Sequence, residues 1–132
     1  MKTTVFAFAL LAATLLAASR STVPVRQDGG REAVMKEKLA HAQKLLASLA
    51  TNDLEAAAQD ASAMAALTRD ARWRVRETPE YLSRSVEFER ATSTLASMAA
   101  GKNAEGAALA WVQVTTQCLD CHRWLRATPK PH

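Results

Sequence analysis

The stretch NAEGAALAWVQVTTQCLDCHRWLRA, Asn103 to Ala127, carries the reading of the whole chain. Ala107, Trp111, Val114, Cys118, Cys121 and Leu125 step along it by four and three. That spacing puts residues on one face of an α-helix, and Asn103 stands ahead of the run as a cap for its first turn. The only two cysteines of the chain lie on this face, with a histidine directly after the second.

Working outward, three further segments repeat the pattern. From Arg31 to Ala50 the apolar positions are Met35, Leu39, Ala42, Leu46 and Leu49, and Asp28 is placed to cap this first helix. Asn52 with Glu55 three residues later forms a capping box for a second helix bearing Leu54, Ala58, Ala61 and Ala65, with Met64 and Leu67 beside that stripe. The second helix fades near Arg72 to Arg76. Thr78 and Pro79 then restart a third helix as N-cap and first-turn proline. Tyr81, Ser85, Phe88, Thr92, Leu95 and Ala99 share one face of it, and Gly101 is placed to end it. Four helices of this length on short connections predict an all-α, up-down-up-down antiparallel four-helix bundle.

Composition agrees. Of 132 residues, 28 are alanine, isoleucine is absent and aromatics reach 5%, which favours helix and leaves few strand formers. An alanine core buries little apolar surface per residue, so a further source of cohesion is expected. At the N-terminus, Lys2 precedes a 14-residue apolar run from Val5 to Ala18, and Ala17-Ala18-Ser19 supplies small residues for cleavage. This reads as a secretory signal peptide over residues 1–19; a membrane span needs about 20 apolar residues. The domain assignment is then a lead-in over 20–30, the bundle over 31–127 and a tail over 128–132. Without residues 1–19 the chain has 16 basic and 13 acidic side chains, a balance far from a nucleic-acid-binding signature. The expected localisation is the bacterial periplasm, with no membrane span in the mature chain.

Cys118, Cys121 and His122 form C-x-x-C-H, the signature for covalent attachment of one haem c. On a helix both sulfurs share a face and reach the two vinyl groups of one porphyrin, while His122, four residues after Cys118, can ligate the iron. A thioredoxin-type pair expects a preceding strand in a βαβ unit. A zinc site needs a fourth ligand, and adjacent Cys and His ligands fit it poorly. With haem between them, alanine-lined helices make sense: small side chains leave room for a large flat ring that replaces the missing core.

In these features the chain resembles the cytochrome c prime family. Cys118, Cys121, His122 and Arg126 match its C-terminal C-x-x-C-H-x-x-x-Arg position by position; one departure is Leu125, where an aromatic residue often precedes the final basic one. The resemblance implies a haem between the helices, with the first helix covering its distal side and Arg126 near its edge. It also implies two branches: low-spin members take a methionine from the first helix and carry electrons, while five-coordinate members bind nitric oxide or another small gas. Met35, near the start of the first helix and opposite the end of the fourth, is the candidate sixth ligand; its alternative role is flexible core filling. Met64 and Met98 read as core. His41 lies roughly 600° around the helix from Met35 and faces elsewhere.

Trp111, on the seam of the two cysteines, is the aromatic expected to touch the porphyrin; Trp73, Tyr81 and Trp124 are read as packing. Arg123, Arg126 and Lys130 make one basic end, and Arg69, Arg72, Arg74 and Arg76 a second cluster. The second cluster reads first as a solvated helix end with cations near the C-terminal dipole; the functional alternative is docking of an acidic redox partner protein. Members of the resembled family also form homodimers. No nucleophile–base pair, paired carboxylates or phosphate loop points to an enzyme; the expected function is electron carriage, the alternative gas binding.

Overall fold

A computed structural model describes residues 27–128; the expected signal peptide, most of the lead-in and residues 129–132 lie outside these. The described chain is all-helical: α1 Gln27–Ala50, α2 Leu54–Leu67, a single 3₁₀ turn Ala71–Trp73, α3 Pro79–Ala100 and α4 Ala104–Ala127. No strand occurs among the described residues, and none of their helices is long and apolar enough to cross a membrane.

The local signals act largely as written, with two corrections. The first helix starts at Gln27, earlier than Arg31, so Asp28 lies within its first turn rather than ahead of it. Gly29 and Gly30 are therefore helical, at about 1 kcal/mol each relative to alanine. Gly30 has a packing reason: a Cβ there would stand 3.3 Å from Cγ of Arg72, so glycine lets the 3₁₀ turn approach the start of α1. Second, the N-cap of α2 is Asp53, whose carboxylate accepts from the Ala56 amide at 3.1 Å. Asn52 instead takes φ 58° and closes α1, because a short amide side chain tolerates the left-handed region. Gly101 does end α3 as its C-cap, at φ −76°, and the left-handed residue is Lys102 just beyond it, at φ 57°. Thr78 does cap α3, with Pro79 in its first turn, and Asn103 caps α4 through the Gly106 amide at 2.9 Å.

Each helix packs along the next in sequence, whereas α1 and α4 meet at only a few positions. Leu45, Met64, Leu95, Val34, Val114 and Thr92 are the largest fully buried side chains. Near the α1–α2 and α3–α4 turns, Ala57, Ala99 and Ala107 form a separate buried cluster, where side chains of one methyl let the backbones close tightly. The opposite end stays open. There the 3₁₀ turn is pinned by Asp70, which caps it and pairs with Arg72. Trp73 stacks on Phe88 with centroids 5.4 Å apart and donates from Nε1 to Ser85 at 3.0 Å. The Tyr81 hydroxyl donates to the Trp73 carbonyl.

The expected stripe of α1 is rotated. Val34, Lys38 and Leu45 enter the core, while Leu39 and Leu46 are 58% and 52% exposed. Met35, Ala42 and Leu49 are half-buried against the core edge. Lysine at 38 breaks the apolar count on the true core face, so the leucines define a neighbouring one.

Candidate haem site

The last turns of α4 present the motif. Cys118 and Cys121 are free thiols, both half-buried, and one helical turn apart they share a face. A cavity of about 570 Å³ opens beside them, with Met35 and Lys38 from α1, Trp73 from the 3₁₀ turn, Tyr81 from α3 and Cys121, His122 and Leu125 from α4 on its wall. A second cavity of about 360 Å³ lies on the α1–α4 side, bordered by Met35, Leu39, Ala42, Cys118 and His122. Glu32, Met35, Lys38 and His122 line both. The gap where α1 and α4 stay apart is thus flanked by both cysteines, the histidine and the candidate methionine.

Burial shapes the electrostatics. His122 is exposed as a whole residue, yet partial desolvation of its imidazole, helped by the cations of Lys38 and Arg126, lowers it from its ordinary range. His122 is therefore neutral at neutral pH, the form with a lone pair for a metal. Burial also raises the Cys121 thiol and the Tyr81 phenol, so both stay protonated. Among the described residues no group of three or more His, Cys, Asp or Glu side chains could hold a metal ion. Cys118, Cys121 and His122 do not converge on one point, as a zinc ion would require. Attachment of a porphyrin makes no such demand: each sulfur bonds a different edge carbon, and the ring brings four nitrogens of its own. Two free thiols one turn apart, a neutral imidazole and an open cavity of this size fit that group.

The other expected residues fall as follows. Trp111 is half-buried at the core edge and is absent from the walls of both cavities; Trp73 and Tyr81 hold the aromatic positions there. Arg126 is exposed in the last turn of α4. Met64 is fully buried core, and Met98 packs on the alanine cluster at the far end. His41 faces α2, donating from Nδ1 to Asp60 at 2.7 Å. The arginine cluster is not one free patch. Arg69 pairs with Glu89, and Arg72 with Asp70 and Glu37. Arg76 donates to the Thr128 carbonyl at 2.8 Å with its guanidinium 5.2 Å from the Trp124 ring centroid.

Periodicity missed Lys38, Trp73 and Val75. Lys38 was open to discovery, since Val34, Lys38 and Leu45 keep helical spacing once a lysine is admitted to the stripe. Trp73 and Val75 lie in the irregular link before α3, where no period exists to read. No protein-family model, curated protein or solved structure matches this chain.

Proposed function

We propose that this chain is an exported monohaem c-type cytochrome of the cytochrome c prime type, an up-down-up-down four-helix bundle that carries electrons. The observation that supports it is the placing of Cys121, His122 and Met35 on the wall of one cavity, with Cys118 on the wall of its neighbour. Cys118 and Cys121 would hold the porphyrin covalently, and His122 and Met35 would serve as the iron ligands. The bound group supplies a one-electron couple whose potential its surroundings tune.

The chain itself does three things. It keeps His122 neutral and able to bind. It walls the site with Trp73, Tyr81 and Leu125; the first two are fixed by their hydrogen bonds to Ser85 and the Trp73 carbonyl. It also offers Met35, whose thioether favours a low-spin state and a higher potential than a second histidine would give. Exposed Arg126, beside Arg123 that pairs with Asp120 at 3.0 Å, gives the motif end a basic side chain suited to an acidic redox partner. Export to the periplasm rests on the pattern of residues 2–19.

A second reading is favoured by one observation. Leu39 and Ala42 make part of the smaller cavity apolar, which suits a neutral gas if Met35 leaves the iron free. An optical spectrum of the reduced protein, with and without carbon monoxide, separates the two. Electron carriage with Met35 bound predicts a low-spin spectrum and slow, partial carbon monoxide binding, and Met35→Ala converts that spectrum to high spin. Rapid, complete binding by the wild type sinks methionine ligation, and a spectrum without haem sinks the reading altogether.

A further inference from the structure

Lys38 is a lysine where the core face of α1 calls for a hydrophobe. It stands between Val34 and Leu45 and is 8% exposed. Its Nζ lies 4.0 Å from the Phe88 ring centroid and 4.9 Å from that of Trp73. Ring faces are weak partners for an ammonium taken out of water, and among the described residues no carboxylate forms an ion pair with it. Glu32 borders the same cavity but is joined to Lys36 at 2.8 Å. Arg31 and Arg76 border it as well, so cations outnumber carboxylates on its wall.

We infer that Lys38 sets the reduction potential of the site: its fixed positive charge, held in the cavity that carries His122 and Cys121, favours the reduced state over the oxidised one. The inference rests on the haem reading. Uptake of one electron from a redox partner protein removes one unit of positive charge from the site, with no bond or proton moved. A cation on the wall of the same cavity therefore repels the oxidised state more than the reduced state. Lys38 reaches the motif by position, since it lines both cavities that His122 lines. A unit charge roughly 10 Å from a redox centre, at an effective dielectric near 20, changes a one-electron equilibrium by about tenfold. For one electron that is about 59 mV.

The test is a potentiometric titration of the haem-loaded protein as wild type, Lys38→Leu and Lys38→Arg. Leucine should lower the midpoint by about tenfold in the reduction equilibrium, with haem content and visible spectrum unchanged, while arginine keeps most of the wild-type value. Lys38→Gln, neutral and similar in length, supplies the same comparison if leucine reduces haem loading. A neutral variant with wild-type haem content, spectrum and midpoint overturns the inference. So does a neutral variant whose spectrum changes coordination, because Lys38 would then act on the ligands and not through its charge. Failure of the underlying reading is separately visible: haem content, measured first, would show no covalent haem in the wild type, and the inference would fall with it.

Discussion

If the proposed haem reading holds, replacing Cys118→Ser with Cys121→Ser and preparing the chain free of haem asks whether the helices hold together alone. The substitutions themselves are mild, since both positions are half-buried and serine is close in size. The empty space is the larger matter. A cavity of 570 Å³ left without its occupant forfeits the packing contacts of the side chains on its wall. A small domain has only about 5–15 kcal/mol of stability in all. Two responses lower that cost: water enters past Arg31, Glu32 and Arg76, or α1 leans towards α4, which it meets at few positions. Both dissolve defined packing at the open end, while the Ala57, Ala99 and Ala107 end stays closed. The expected product keeps much of its helical far-ultraviolet circular dichroism. It loses the near-ultraviolet signal of its tryptophans and melts over a broad range in place of a cooperative transition. The assay is thermal and urea unfolding followed by both signals, against the haem-loaded wild type. A sharp melt with coincident signals, within a few degrees of the wild type, would refute the argument that the cofactor replaces the missing core.

Two further outcomes follow from the surrounding geometry. The Asp70 carboxyl is pulled from 3.8 to about 2, first by its side-chain hydrogen bonds to Arg72 and then by the Arg72 amide. A carboxyl depressed on folding adds stability above its unfolded value, and that stability is lost as pH falls from near 4 towards 2. Asp70→Asn should therefore flatten the fall in urea midpoint across that window, and an unchanged slope would show that the pair contributes nothing. Arg76→Ala removes the hydrogen bond to the Thr128 carbonyl and the contact over Trp124. At about 1–2 kcal/mol together, the loss should appear as faster amide hydrogen exchange over Leu125–Thr128, with the Asn103 end of α4 unaffected.

How far the sequence could be read depended on how local each signal was. Thr78-Pro79 and Asn103 act as caps because a cap needs only its own first turn. The turn after α1 was harder, since Asn52 and Asp53 can both cap and only the backbone path decides; the chain puts Asn52 in the left-handed region and gives the cap to Asp53. On α3 the stripe from Tyr81 to Ala99 is largely buried as its spacing requires. On α1 the same method chose the wrong face, because Leu39 and Leu46 outweigh a core face that contains Lys38.

The order of residues by itself determined that the chain is helical, where most helices begin and end, and that two thiols and an imidazole share one helical face. These follow from caps, period and composition, all of which act within a few residues. Tertiary structure decided what stands opposite that face. Separation of α1 from α4 opens the cavity, and rotation of α1 brings Lys38 beside Met35 on its wall. An irregular link with no period carries Trp73 onto that wall as well. Those outcomes depend on how residues distant in sequence fill volume together, and in an alanine-rich chain few large side chains announce that fit beforehand.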